Sequence, residues 1–275
     1  MTAGPTRRQV VAAGAGLALA LGAAPAAAAL PRSPRGPHRM RTLYIAGDST
    51  AAQKYADAAP ETGWGMALPF FLHRDVAVAN HAINGRSTKS FLDEGRLDAI
   101  LELIRPGGLL LIQFGHNDQK IADPTRYTEP WTSYQDNLRR YVAGARERGA
   151  VPVLATSVER RKFDANGTAL MTLGEYPASM REVSREEGVV LLDVQELSLA
   201  LWQKLGPETT KTYFNWTATE QDNTHFNPPG AIAVARLVAA ELLQTRVLAP
   251  SDTRRLDDEI PTRWITWPEP EESRA

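Results

Sequence analysis

Short apolar runs alternate with amphipathic segments along most of the chain. Five runs predict β-strands, at 42–46, 76–79, 109–114, 151–156 and 189–194. The third run is apolar apart from Gln113, which is typical of a strand covered on both faces. Apolar residues recur at helical spacing between the runs and predict helices at 66–72, 90–104, 133–148, 174–187, 197–205 and 227–243. Strands that alternate with helices predict a parallel sheet with helices on both faces, a three-layer α/β/α sandwich.

The first strand leads directly into Gly-Asp-Ser-Thr at 47–50, a turn that presents the hydroxyl of Ser49. A structural turn serine is the alternative interpretation. Asp222 and His225 lie three residues apart on a predicted loop near the far end of the chain. A serine hydroxyl attacks an ester only when an imidazole takes its proton and a carboxylate orients that imidazole. The pattern therefore predicts Ser49 as nucleophile, His225 as general base and Asp222 as its orienting carboxylate.

Two more polar blocks follow predicted strands, Asn-Gly-Arg-Ser at 84–87 and Gly-His-Asn-Asp at 115–118. With Gly-Asp-Ser-Thr and Asp-Asn-Thr-His at 222–225, they make the chain resemble the GDSL or SGNH hydrolase superfamily, and within it the rhamnogalacturonan acetylesterases, which deacetylate pectin. The four blocks span nearly all of residues 42–243. The resemblance implies a flavodoxin-like α/β/α fold with a parallel five-stranded sheet. It also implies an oxyanion hole made by the backbone N–H groups of Ser49 and Gly85 and the side-chain amide of Asn117.

Other interpretations of these residues remain open from the sequence. Gly85 is also explained as a turn glycine, and Asn117 as a residue that bonds its own turn. His116 and Asp118 flank Asn117, where we expect them to position it or to make loop hydrogen bonds. A zinc site of His116, His225 and Asp222 lacks the remaining metal-ligand spacing. We therefore predict no metal and no organic cofactor.

Substrate contacts are the least determined part of the prediction. Trp64 and Trp216 are candidates for stacking on sugar rings, although both are equally explained as packing residues. Arg86 is a candidate partner for a galacturonate carboxylate, and a solvated surface charge is the alternative. We include His116 as a fourth candidate contact.

The composition of the chain argues against several other classes of protein. The 275 residues carry a formal net charge of −1 and no cysteine, so a basic nucleic-acid or membrane-binding face is not expected and disulfides are excluded. Paired arginines, a short apolar run and Ala-rich sequence predict a twin-arginine export signal at 1–29, with a membrane anchor as the alternative. We expect a Pro- and Arg-rich linker at 30–41, the hydrolase domain at 42–249, and a polar, poorly ordered tail at 250–275 that docks by Trp264 and Trp267.

These observations predict a secreted, extracellular ester hydrolase that removes O-acetyl groups from a polysaccharide, with pectin or rhamnogalacturonan as the expected polymer. We expect it to act as a monomer, without a nucleic-acid partner and without a membrane contact after signal cleavage. Lipase-like, lysophospholipase or thioesterase activity on longer acyl chains is one alternative. A noncatalytic carbohydrate-binding protein is another, and a phosphate-binding module is disfavoured because the glycine-rich loop and lysine of such sites are missing.

Overall fold

The computed structural model describes residue 1 and residues 40–270. All of the predicted export signal except residue 1, nearly all of the predicted linker and the last five residues of the predicted tail lie outside the described residues. No helix of the described part of the chain is long and apolar enough to cross a membrane.

Five parallel strands form the central sheet. Their bounds are β1 Arg41–Gly47, β2 Val76–Asn80, β3 Leu109–Gln113, β4 Val151–Ala155 and β5 Val190–Leu192. The strand order is β2-β1-β3-β4-β5, with every neighbouring pair parallel. The direction of chain progress reverses between β1 and β3, and ligands of such sheets bind at the carboxyl ends of the strands beside that reversal. The predicted fold is therefore confirmed.

Alternate residues of each strand feed two separate cores. On β1, Leu43 and Ile45 point into one core, whereas Tyr44 and Ala46 point into the other. The central strand β3 is buried along its whole length, because both of its faces are covered by helices. Apolar runs in place of strict alternation are the sequence signature of this arrangement.

Seven α-helices of the described residues cover the sheet. They are α1 Trp64–Ala67, α2 Thr88–Asp93, α3 Arg96–Leu103, α4 Ser133–Glu147, α5 Tyr176–Glu187, α6 Val194–Lys211 and α7 Pro228–Gln244. Helices α1, α6 and α7 pack into the first core, and α2 to α5 pack into the second. Helix α7 begins as predicted, with the Asn227 side chain accepting a hydrogen bond from the N–H of Gly230 and proline at its first positions.

Three predicted helices have different bounds in the structure. The helix predicted at 90–104 is two helices, because Gly95 adopts a left-handed conformation (φ 67°) between α2 and α3. The helix predicted at 66–72 begins earlier and ends as a 3-10 turn, Leu68–Phe71. Helix α6 is longer than predicted and bends at Gly206, which has a nonhelical backbone.

A two-stranded antiparallel hairpin precedes α7, made of β6 Phe214–Trp216 and β7 Gln221–Phe226. Asp222 and His225 lie on β7, so the prediction that they occupy a loop is wrong. Strand β7 is polar along most of its length, and an apolar or alternating pattern is what identifies strands in a sequence.

Residues 250–270 pack against the domain. Ile260 and Ile265 are buried, and the indole N–H of Trp267 donates to the backbone oxygen of Glu61 at 2.8 Å. Trp264 packs edge-on against Phe70. The predicted docking by the tryptophans is confirmed, whereas the expectation of a poorly ordered tail is wrong for these residues.

Candidate active site

Ser49 lies in the turn that follows β1, at the carboxyl edge of the sheet. The preceding Asp48 is fully buried, and its carboxylate accepts hydrogen bonds from the N–H of Thr50 at 2.9 Å and from its hydroxyl at 2.7 Å. Its backbone oxygen accepts from the N–H groups of Ala51 and Ala52. These bonds hold the turn rigidly, so the Ser49 side chain has a fixed position at the end of the strand.

The structure brings His225 and Asp222 to this hydroxyl across 176 positions of sequence. The Ser49 Oγ lies 2.8 Å from the Nε2 of His225. The opposite ring nitrogen of His225, Nδ1, lies 2.6 Å from Oδ2 of Asp222. This is the linear arrangement in which an imidazole takes a proton from a serine while a carboxylate orients the ring.

The other carboxylate oxygen of Asp222 is also occupied. Its Oδ1 accepts from the backbone N–H of Thr224 at 2.6 Å and from that of His225 at 3.0 Å. Because the backbone holds Oδ1, only Oδ2 is left to face the imidazole. The three-residue spacing of Asp222 and His225 therefore works through a local backbone-bonded turn on β7.

Charge and burial adjust the two titrating groups in opposite directions. Burial alone raises the pKa of Asp222, but the hydrogen bond and charge of His225 and the two backbone donors outweigh it, so its pKa is lowered. Burial alone lowers the pKa of His225, but the hydrogen bond and charge of Asp222 outweigh it, and the net shift is upward. Asp222 is thus an anion at neutral pH beside a strengthened base.

The resemblance implies three N–H donors for the oxyanion, the backbone N–H groups of Ser49 and Gly85 and the side-chain amide of Asn117. Gly85 adopts φ 77°, a left-handed conformation that suits glycine. Among residues 40–270, neither the backbone N–H of Ser49 nor that of Gly85 donates to a protein acceptor. The amide nitrogen of Asn117 donates one hydrogen to the backbone oxygen of Arg86 at 2.9 Å, which leaves its second hydrogen available. Such unused donors are what a developing oxyanion requires.

Two predicted substrate contacts are core residues in the structure. Trp64 has only 1% of its surface exposed, and its indole N–H donates to Gln113 at 3.1 Å, so it is not available to stack on a sugar. His116 is 3% exposed and lies 3.1 Å from the Asp48 carboxylate through Nδ1. His116 therefore braces the residue before the nucleophile through Nδ1. Its Nε2 is buried without a hydrogen-bond partner among the described residues, and its role as a substrate contact stays a prediction.

The other two predicted contacts lie at the surface. Arg86 pairs with Glu94 at 3.1 Å and lines a cleft of about 390 Å³ that begins at Gly85. Trp216 has the guanidinium of Arg161 4.6 Å from its ring and the ammonium of Lys211 5.3 Å from it. These cations occupy space over the ring, so a sugar has less of its surface to stack on than the sequence suggests.

Asp118 has a larger structural role than the sequence indicates. Its carboxylate accepts from the N–H of Thr88 at 3.0 Å and from the hydroxyl of Thr128, also at 3.0 Å. It thereby joins the loop that carries Asn117 to the first turn of α2. Burial in this site raises the pKa of Asp118 to about 7, although the hydrogen bonds from Thr88 and Thr128 oppose the shift.

Sequence reasoning missed two charged residues at the site. Arg126 lies 3.4 Å from the side-chain oxygen of Asn117 through Nη1. Lys54 is almost fully buried and donates to the side-chain oxygen of Asn84 at 2.6 Å. Neither belongs to a recognised block, so no local sequence signal identifies them. No cluster of potential metal-ligating side chains occurs among the described residues.

Comparison with known proteins identifies the family of this chain. Residues 45–231 match the GDSL-like lipase/acylhydrolase family. The chain is 45% identical over 197 residues to the probable rhamnogalacturonan acetylesterase YesY of Bacillus subtilis, covering 72% of this chain and 90% of that protein. It is 44% identical over 206 residues to the rhamnogalacturonan acetylesterase RhgT of the same organism, covering 72% of this chain and 87% of that protein.

Solved structures share the fold. The Bacillus subtilis protein YxiM superposes with a TM-score of 0.68 at 30% identity, covering 75% of this chain and 57% of that chain. The acetylxylan esterase Axe2 of Geobacillus stearothermophilus superposes with a TM-score of 0.54 at 16% identity, covering 77% of this chain and 97% of that chain, a likeness of fold alone. The resemblance found in the sequence is confirmed, and the chain belongs to the GDSL-like lipase/acylhydrolase family as an esterase.

Proposed function

We propose that this chain removes O-acetyl groups from a pectin-like polysaccharide, most specifically rhamnogalacturonan, through a Ser-His-Asp acyl-enzyme mechanism. The observation that carries the mechanism is the continuous line of Ser49, His225 and Asp222, with contacts of 2.8 and 2.6 Å. The two Bacillus subtilis relatives named as rhamnogalacturonan acetylesterases support the choice of polymer.

In the first half-reaction, His225 Nε2 takes the proton of Ser49 as Oγ attacks the acetyl carbonyl carbon. The carbonyl oxygen becomes an oxyanion that accepts hydrogen bonds from the N–H groups of Ser49 and Gly85 and the amide of Asn117. The bond from the acetyl carbon to the sugar oxygen then breaks, and His225 returns its proton to that oxygen. The products are a free sugar hydroxyl and an acetylated Ser49.

The second half-reaction repeats these roles with water. His225 takes a proton from a water molecule, whose oxygen attacks the acetyl carbonyl carbon. Collapse of the second oxyanion breaks the bond to Ser49 Oγ, which recovers a proton from His225, and acetate leaves. Asp222 remains an anion throughout and stabilises the imidazolium at each stage.

The surroundings of the oxyanion hole favour a carbohydrate over a long acyl chain. The cleft that begins at Gly85 is lined by polar and charged side chains, among them Arg86, Ser90 and Thr125. A long acyl chain gains its binding energy from large apolar side chains, and none of the side chains that line this cleft is of that kind. We therefore rank lipase, lysophospholipase and thioesterase activities below acetyl removal.

The test measures acetate released from acetylated rhamnogalacturonan by the wild type and by Ser49→Ala. We expect wild-type release of acetate and loss of both this activity and 4-nitrophenyl acetate turnover in the variant, with an unchanged circular dichroism spectrum. A 4-nitrophenyl ester series from acetate to palmitate gives a second readout. A maximum at long chains contradicts the proposed substrate class, and turnover retained by Ser49→Ala contradicts the mechanism.

We also propose export by the twin-arginine route, supported by the sequence pattern of residues 1–29 with Arg7 and Arg8. Replacing both arginines with lysine is expected to keep the protein inside the producing cell. Enzyme activity in the culture medium measures this directly, and unchanged secretion of the variant contradicts the proposal.

A further inference from the structure

Three cations are gathered beside the oxyanion hole. Arg126 Nη1 lies 3.4 Å from the side-chain oxygen of Asn117, and a Cβ placed on Gly85 would come within 3.7 Å of the same nitrogen. Arg160 Nη2 lies 3.5 Å from the backbone oxygen of His116. The backbone N–H of Lys120 bonds to the backbone oxygen of Asn117 at 3.2 Å. The guanidinium groups of Arg126 and Arg160 therefore reach the loop that carries Asn117, and Lys120 is part of that loop.

The positive charge of this group is only partly neutralised. Arg126 is paired with Asp123, whose Oδ2 lies 2.6 Å from Nε. Within residues 40–270, the ammonium of Lys120 has no hydrogen-bond or ion-pair partner, and Arg160 forms no ion pair. Burial and then the charges of Arg126 and Arg160 lower the pKa of Lys120, which agrees with a shared neighbourhood. Clustered cations whose charge is only partly neutralised attract an anionic ligand.

We propose that Lys120, Arg126 and Arg160 form a subsite for the carboxylate of a uronic acid residue close to the acetylated hydroxyl. This inference rests on the proposed function and deepens it, because it assigns the recognition of the acidic polymer to named residues. Guanidinium and ammonium groups bind carboxylates through charge-assisted hydrogen bonds, which are about twice as strong as neutral ones. The subsite would favour an acidic polysaccharide over a neutral one.

The test compares acetylated galacturonan with free carboxylates and the same polymer after methyl esterification. We expect wild-type kcat/KM to be about tenfold lower on the methyl-esterified polymer than on the polymer with free carboxylates. This factor corresponds to the loss of one charge-assisted hydrogen bond. Lys120→Met is the informative variant, because its exposed ammonium has no partner among residues 40–270 to lose. It should lose most of this preference while its turnover of 4-nitrophenyl acetate is unchanged.

Lys204→Met is the matched control, since Lys204 is an exposed lysine of α6 that is remote in sequence from every block. It should keep the full preference. Equal rates on the two polymers, or a preference retained by Lys120→Met, would overturn the subsite. Failure of the proposed function looks different: no acetate is released from either polymer while 4-nitrophenyl acetate is still hydrolysed.

A second inference comes from the buried lysine on the other side of the site. The Lys54 side chain is 1% exposed, yet it carries an ammonium that forms an ion pair with Glu61 and donates to Asn84 at 2.6 Å. Burial lowers the pKa of Lys54, and the charge of Glu61 opposes this shift. Burying an ion pair costs desolvation free energy that the attraction between its members often fails to repay, so this pair calls for a role beyond stability.

Residues 54–62, the bridging segment, connect both halves of the catalytic apparatus. Lys54 holds Asn84, the neighbour of Gly85, at one end. At the other end, the N–H of Thr62 donates to the backbone oxygen of Phe226, the neighbour of His225, at 2.8 Å. The C-terminal residues also bind this segment, since the indole N–H of Trp267 donates to the backbone oxygen of Glu61.

We propose that Lys54 and Glu61 are positioning residues that hold the oxyanion turn relative to the general base and balance the charge around it. The charged groups that act on His225 are Asp222 of β7, together with Glu61 and Lys54 of the bridging segment. Asp222 and Glu61 favour the imidazolium, whereas Lys54 disfavours it. The pair therefore exerts opposing effects on one imidazole.

The opposite signs give a test that a structural role alone would not pass. Lys54→Met should move the acid limb, the loss of kcat/KM at low pH as His225 takes up a proton, to higher pH. The reason is that the imidazolium loses a repelling cation. Glu61→Gln should move it to lower pH, because the imidazolium loses an attracting anion. We expect shifts of roughly half a pH unit, the effect of one charge several ångströms away at the effective dielectric constants of such sites.

Lys54→Met should also lower kcat with 4-nitrophenyl acetate by about tenfold while KM changes little, because the oxyanion turn loses its anchor. Lys204→Met again serves as the control and should leave both the limb and kcat unchanged. If Lys54→Met proves too unstable to assay, the downward shift in Glu61→Gln still tests the proposal. Shifts of the same sign in both variants, or no shift in Glu61→Gln, would overturn it.

Discussion

Replacing Asp222 with asparagine tests the proposed mechanism through the tautomer of His225. In the variant, the amide oxygen is the group that can accept from the N–H groups of Thr224 and His225, which bond Oδ1 at 2.6 and 3.0 Å in the wild type. The amide nitrogen must then take the place of Oδ2, 2.6 Å from His225 Nδ1. In the wild type, the carboxylate accepts a hydrogen bond from the N–H at Nδ1 of His225. In the variant, the amide nitrogen donates a hydrogen bond to Nδ1.

The consequence is a proton on the wrong nitrogen. When Nδ1 accepts the hydrogen bond, the single proton of the neutral imidazole resides on Nε2, which lies 2.8 Å from Ser49 Oγ. That nitrogen no longer takes the serine proton. The equivalent substitution in a well-studied serine protease lowers kcat about 10⁴-fold, and the same loss here corresponds to about 5 kcal/mol of transition-state stabilisation.

The assay is the initial rate of 4-nitrophenyl acetate hydrolysis over a range of substrate concentrations, with urea unfolding to check stability. Asp257→Asn is the matched control, because Asp257 is an exposed carboxylate remote in sequence from the blocks, and it should retain full activity. A loss smaller than tenfold in a correctly folded Asp222→Asn variant would refute the proposed role of the carboxylate.

Three further predictions follow from the same site. Asn117→Ala should lower kcat by about 10²- to 10³-fold with little change in KM, because one oxyanion donor is lost; a change confined to KM would contradict this. The raised pKa of His225 predicts that wild-type kcat/KM is lost as pH falls through a value above 6.5, and an acid limb below 6 would contradict it. The pKa of Asp118 is raised from 3.8 to about 7, so the folded state binds this proton more tightly than the unfolded state does. This group should therefore make the free energy of unfolding decrease as pH rises from 4 to 7, by up to about 4 kcal/mol. Urea unfolding of Asp118→Asn should show a weaker decline over this range than the wild type, and equal declines would count against the shift.

Much of the fold follows from local patterns in the chain. The apolar runs of β1 and β3 predict buried parallel strands because a strand covered on both faces has no polar side. The parallel arrangement then places the residues after these strands at one edge of the sheet, so the proximity of Ser49 and Asn117 is predictable. The cap of α7 at Asn227 is equally local.

Other features were beyond local reasoning. Strand β7 is recognised only through its pairing with β6, because its polar residues show no strand pattern. Trp64 is in the core because its indole reaches Gln113, 49 positions away in sequence. A tryptophan after a turn has the same local sequence whether it faces solvent or the interior.

The amino-acid sequence by itself therefore determined the layers, the sequential order of the sheet strands and the candidate catalytic residues, since these depend on neighbours along the chain. Only the tertiary structure decided which charges are buried, which are paired and which remain available. Lys54 is buried because Glu61 and Asn84 satisfy its ammonium, whereas Lys120 is exposed and unpaired beside the site within the described residues. Burial and pairing depend on contacts between distant segments, and no local pattern specifies those contacts.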